Sequence, residues 1–235
     1  MDIKLLKKPL NPIVIEGFPG FGLVGTIASE FLIEHLKPEL IGRYWFEELP
    51  STIAIHNQKV IEPVGIYHCK KTNIVIIHSI SGAAGIEWKA ADVVLEIANR
   101  LRAKELISLE GVGSAIESEE SNVFYYTNNR KADKKLGSIG LKPLSEGIIM
   151  GVTAAIILKS SIQTTCLFAE THSALPDSKA SAKIIETLDK YLGLKVDYKP
   201  LLEQAERFER KLKELLQKSI KAADMQEKKQ LSYVG

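Results

Sequence analysis

Ile13-Val14-Ile15 is a continuous apolar run that passes into a glycine-dense turn, Gly17 to Gly25. The next segment carries apolar residues Leu23, Ile27, Phe31 and Leu32 at helical spacing, so the opening reads as strand, tight loop, helix. A short strand that is apolar on both faces has to be covered on both faces, which commits the chain to further strands and to helices above and below. The remainder supplies them. The first helix ends before Pro38, and Leu40 to Phe46 reads as a strand. Ile53 to Ile55, Val60-Ile61 and Gly65 to Tyr67 are short β pieces divided by Pro50, Pro63 and polar turns, and Asn73 to Ile80 is a buried strand. Glu87 to Ala103 is a helix with Ala91, Val94, Leu95, Ala98 and Leu101 on one face, followed by a strand at Leu106 to Leu109. Val123 to Thr127 and Thr164 to Ala169 read as strands, Ile148 to Leu158 as a buried helix, and Lys179 to Leu192 as a helix. The expected fold is α/β, with three layers: a largely parallel sheet covered by helices on both faces.

From Leu201 the pattern changes. Apolar positions 201, 205, 208, 212 and 215 step by four and three, and Glu203/Arg207, Glu206/Arg210, Glu209/Lys213 and Glu214/Lys218 stand four apart with the acid first. This predicts a long C-terminal amphipathic helix over Leu201 to Ile220, then a polar run and a mobile apolar tail, Leu231 to Gly235. With 235 residues and 45% hydrophobic content, one large core suffices. The expected organisation is a single α/β domain over 1–198, with the helix and tail over 199–235.

Composition narrows function. Lys+Arg (31) nearly balances Asp+Glu (29), which leaves no basic field for a phosphate backbone, so no nucleic-acid partner is expected. The longest apolar stretch, Gly147 to Leu158, is far shorter than a bilayer span and is read as a buried core element; no membrane partner is expected. Cys69 and Cys166 sit in apolar runs, suiting a cytoplasmic protein with reduced thiols.

Three glycine turns invite chemistry. Gly20-Phe21-Gly22-Leu23-Val24-Gly25 has the G-x-G-x-x-G spacing between strand and helix, where backbone amides and the helix dipole hold a phosphate. Pro19, Phe18 and Phe21 crowd it, and no acid clearly ends a second strand to hold a ribose, so a turn that lets helix and sheet pack closely is favoured. Ser81 to Gly85, Gly111 to Ser114 and Glu170 to Ser173 each follow a strand, and such loops gather at the C-terminal edge of a parallel sheet. There Glu110, Glu170 and His172 would supply acid and base to a nucleoside- or nucleotide-binding enzyme, the alternative reading. Against catalysis, G-x-S-x-G is absent and the five histidines make no metal-ligand spacing. His68 and Cys69 are strand neighbours pointing to opposite faces, and His78, inside an apolar strand, reads as a hydrogen-bonded core histidine.

Three blocks carry a resemblance: Glu16-Gly17-Phe18-Pro19-Gly20-Phe21-Gly22-Leu23-Val24-Gly25 with Glu47-Glu48-Leu49-Pro50; Ala174-Leu175-Pro176-Asp177-Ser178-Lys179-Ala180; and Gly193-Leu194-Lys195-Val196-Asp197. Over nearly its whole length the chain resembles the archaeal branch of the proteasome assembly chaperone family. The resemblance implies a nucleoside-phosphorylase-like α/β fold, no catalytic residues, no cofactor, and ATP-independent binding to proteasome core-particle subunits. It also implies a homo-oligomer with more than two subunits. Gly17, Pro19, Gly20, Gly22 and Gly25 then form a structural glycine motif. Some members dock through a C-terminal hydrophobic-Tyr-any tripeptide; here the corresponding partner-binding residues are Tyr233, Val234 and Gly235, with Tyr233 third from the end and Ser232 before it.

Overall fold

The computed structural model describes residues 3–44, 47–48, 53–56, 58–113, 122–171 and 175–203. In chain order the elements are β1 (Lys4–Leu5), β2 (Ile13–Gly17), α1 (Val24–Leu36), β3 (Glu39–Tyr44), β4 (Ala54–His56), β5 (Lys59–Ile61), β6 (Val64–Cys69) and β7 (Ile74–Ser79). They continue with α2 (Glu87–Arg100), β8 (Glu105–Gly113), β9 (Val123–Thr127), α3 (Arg130–Ser138), β10 (Lys142–Pro143), α4 (Gly151–Lys159), β11 (Thr164–Thr171) and α5 (Ser178–Leu192). Nine strands form one sheet in the order β1-β3-β6-β7-β2-β8-β11-β9-β10, and β4 pairs with β5 separately.

The sheet is mixed, where the sequence reading expected it largely parallel. Its centre, β7-β2-β8-β11, is parallel, but β1–β3, β3–β6, β6–β7 and β9–β11 are antiparallel. The reason is local at β6–β7: the four residues 70–73 that join them are too few for a crossover and force a hairpin. Parallel strands sit where helices intervene.

Alternation along each central strand divides the core in two. Val14, Val75, Ile77 and Leu106 face α2 and α4, whereas Ile15, Ile74, Ile76 and Ile107 face α1 and α5 with α3 beside them. The result is three layers, helices over both faces of the sheet. Each fully buried Ile or Leu contributes about 1.5–3 kcal/mol by leaving water. Leu201, at the start of the C-terminal segment, is also buried in the α1/α5 core.

Helix ends follow their residues. α1 stops at a left-handed Lys37 just ahead of Pro38. The Asp177 side chain accepts a 2.9 Å bond from the Ala180 amide at the start of α5, and Gly193, at φ 69°, ends that helix. α3 has only Ala132 and Leu136 buried on an otherwise polar helix, with Asn129 capping it. The stretch read as one buried helix divides: Ile148 and Met150 are exposed ahead of α4, and only Val152, Thr153, Ala155 and Ile156 of α4 are buried. Crowded apolar sequence therefore does not mark burial here. Among the described residues no helix is long and apolar enough to cross a membrane. The expected helix beyond residue 203 lies outside the described residues.

Candidate functional site

After β2 the chain passes through α1 to β3, on the β7 side of the sheet; after β8 it moves to the β11 side. The crevice beyond the C-terminal ends of β2 and β8 is therefore where the strand order reverses, the usual ligand position in an open α/β sheet. A cavity of about 610 Å³ opens there, walled by the glycine loop, the end of β8 and residues 148–152.

The glycine loop fits this place because it lacks side chains. A Cβ on Gly25 would collide with the Leu109 carbonyl oxygen of β8, and one on Gly20 with the Glu110 carboxyl. Gly22 adopts φ 64°, a conformation that side-chain-bearing residues rarely take. Its carbonyl accepts a 2.9 Å bond from the Asp177 amide, so the glycine block and the Leu175–Lys179 block, distant in sequence, meet in space.

Beneath the cavity lies a row of four polar groups. Glu16 is hydrogen-bonded to Ser108 Oγ; Ser108 Oγ lies 2.8 Å from Thr153 Oγ1; Thr153 Oγ1 donates to Glu110 Oε2 at 3.0 Å. The Gly111 amide donates to Glu110 Oε1 at 3.2 Å. Three oxygen–oxygen contacts need three protons and the two hydroxyls hold two, so a carboxyl must carry the third. The two carboxyls share it. Burial pushes the Glu16 pKa up to about 8, against hydrogen bonds from Ser108 and the Phe18 backbone, with the Glu110 charge adding to the rise. Glu110 is pushed up to about 7 by burial, opposed by its bonds from Thr153 and the backbone of Gly111 and Phe21. Glu16 Oε2 is buried and has no hydrogen-bond partner.

The loop amide at Phe21 thus acts on a carboxyl of the same chain, at the helix entrance where a bound phosphate would sit. Of the acid–base group expected from the loops, Glu110 alone among the described residues lines the cavity. Glu170 turns to the β9 side and accepts a 2.7 Å bond from Asn122 Nδ2; His172 lies outside the described residues. Gly111 and Gly113 line the cavity, but Gly82 and Gly85 do not. Sequence reasoning missed Glu16, Ser108 and Thr153 as a unit, although Ser108 and Glu110 stand two apart on a strand and therefore share a face. His78 is buried, with Nδ1 2.8 Å from Ser29 Oγ, and burial lowers its pKa to about 4, so it is a neutral core histidine. Tyr233, Val234 and Gly235 lie outside the described residues.

Comparison with known proteins gives a consistent picture. The model of the PAC2 family matches residues 14–216. An uncharacterized protein of Methanocaldococcus jannaschii is 28% identical over 227 residues, covering 95% of this chain and 93% of that protein. Pyrococcus furiosus PbaA, described as an archaeal homolog of proteasome-assembly chaperone, superposes with TM-score 0.81 at 31% identity, covering 91% of this chain and 96% of PbaA. Its monoclinic form superposes with TM-score 0.84 at 29% identity, over 97% of this chain and 96% of that one. Pyrococcus furiosus PbaB, described as an archaeal proteasome activator, shares the fold with TM-score 0.78 at 22% identity, over 91% of this chain and 98% of PbaB.

Proposed function

The chain belongs to the PAC2 family, and on that premise we propose that it is a proteasome assembly chaperone or proteasome-binding adaptor. In this reading it binds core-particle subunits without ATP and without catalysis, as a homo-oligomer of more than two subunits. The observation that carries the reading is the 31% identity to PbaA over 91% of the chain. The use of the glycine-loop amide on Glu110 weighs the same way, because it takes from a nucleotide enzyme the group that would grip phosphate.

Within this function we assign Gly17, Pro19, Gly20, Gly22 and Gly25 an architectural role, holding α1 and the loop against β8 inside a nucleoside-phosphorylase-like body over 1–198. Residues 199–235 form the amphipathic helix and tail, and Tyr233, Val234 and Gly235 are its docking residues. The Tyr233 ring would be the buried anchor, and several tails on one oligomer would bind with avidity beyond one peptide. The test is retention of purified proteasome core-particle subunits on the immobilised protein in the absence of ATP. Wild type should retain them; deletion of residues 231–235 should weaken retention while light scattering returns an unchanged oligomer mass well above 26.0 kDa. Equal retention by the deletion variant moves docking to the α/β body, and a monomer mass removes the oligomer.

A further inference from the structure

We propose that the cavity beyond β2 and β8 is a binding site for a small organic cation, an ammonium carried on an apolar body. The walls decide the body. Phe18, Phe21, Ile149 and Val152 line the cavity, and Ile148 and Met150, 90% and 76% exposed, form its rim. About 610 Å³ is an ordinary size for a small-molecule site. Exposed Ile and Met beside a formed cavity bury their surface when an apolar ligand enters.

The polar groups decide the charge. Among the described lining residues Glu110 is the one ionisable side chain, and Glu16 stands behind it through Ser108 and Thr153. The row of hydrogen bonds holds one proton between two carboxyls, and the negative charge at Glu110 grows as pH rises through about 7. Among the described residues no lysine or arginine forms an ion pair with either carboxyl. A half-buried carboxylate without an ion-pair partner among the described residues, at the wall of an apolar cavity, attracts a cation and repels phosphate and carboxylate ligands. A cationic head at Glu110 supplies N–H donors to its carboxyl and favours the ionised form.

Glu110, held near 7, is then also a pH gate. Among the described residues the titratable groups packed about it are Glu16 from β2 and the Cys166 thiol from β11, which burial and the two carboxyls keep neutral. Amine affinity therefore rises from pH 6 to pH 8 as Glu110 ionises.

The probes are hexylamine, hexanol and hexanoate, which share a body and differ in charge, titrated calorimetrically into the full chain. Hexylamine should bind at least tenfold tighter than hexanol at pH 8, and hexanoate more weakly than hexanol. Glu110→Gln should reduce hexylamine to the level of hexanol. Met150→Lys, at an exposed rim position that folding does not need, places a tethered ammonium at the mouth and should weaken hexylamine several-fold even if Glu110→Gln proves unstable. Equal affinity for hexylamine and hexanol, no hexylamine binding at millimolar concentration, or wild-type affinity in both variants overturns the proposal. Tight binding of the peptide Gly-Lys-Gly, equal to that of hexylamine, assigns the charge site to a protein side chain and overturns the small-molecule assignment.

Discussion

At one end of β8, Glu105 is buried and fully answered: Thr165 Oγ1 donates to it at 2.5 Å, and the Tyr191 hydroxyl lies 2.9 and 3.1 Å from its two oxygens. Five residues further along the same strand, Glu110 and Glu16 share one proton between two carboxyls, and among the described residues one buried Glu16 oxygen has no partner. The first cluster joins α5 to the sheet and closes the core beneath it. The second faces a cavity. Burying a carboxyl is costly unless it is paired, so a strand that satisfies one acid and leaves another short separates the part that holds the fold from the part that waits for something else. The difference is visible in the partners: an aromatic hydroxyl fixed by a helix at one end, short hydroxyls in series at the other.

The comparison breaks most readily at Gly111, on the cavity end, where a Cβ would collide with the Phe21 carbonyl oxygen. Gly111→Ala should cost about 3 kcal/mol by forcing loop and strand apart, read by urea unfolding, because neither backbone can give way cheaply. Gly82→Ala, with nothing within 4 Å of the added carbon, is the control and should leave the midpoint unchanged. Next comes the satisfied end. Glu105→Ala strands the Tyr191 and Thr165 hydroxyls and should lower stability by about 2 kcal/mol, and Tyr191→Phe by about 1 kcal/mol.

A subtler separation uses pH. Glu16 and Glu110, raised to about 8 and about 7, bind protons in the folded state that the unfolded chain has already lost above about 4.5. Their stabilisation is therefore complete below that value and is lost as pH rises through 7 to 8. His78 acts on the opposite limb: lowered to about 4, it costs stability as pH falls below 6.5. Unfolding measured at pH 6.5 and pH 9 should show wild type losing stability toward pH 9. Glu16→Gln, whose amide can still donate to Ser108, should remove most of that loss; an unchanged slope would locate the buried proton elsewhere. The smallest effect is expected from Glu110→Gln, below about 1 kcal/mol at pH 7, since its carboxyl is already half neutral there and its amide can keep the Thr153 bond.

Elements with a strong apolar period were legible in the sequence: the Ile13 strand, the helix ahead of Pro38, the Glu87 helix and the Asp177-capped helix all stand close to where their spacing puts them. What escaped was governed by context. α3 is polar on all but a narrow stripe, and its one local signal, Asn129 as a cap, is too common to stand alone. The antiparallel flanks depend on pairing across the sheet, which a period-two pattern does not encode. Ile148 and Met150 look like core and are exposed, because hydrophobicity records a residue's preference and not its neighbours. The site was half legible: Glu110 was marked by its glycine turn, but its connection to Glu16 passes through Thr153 on α4 and Ser108 on its own strand, with contacts that span 43 and 92 residues of chain at the two ends of the row.

The bond from the Asp177 amide to the Gly22 carbonyl makes the cavity wall and the start of α5 one cooperative unit. That amide proton is shielded only while the glycine loop keeps its shape, so its exchange with deuterium times the opening of the loop. A ligand that braces the loop slows the exchange at Asp177, a position it never touches.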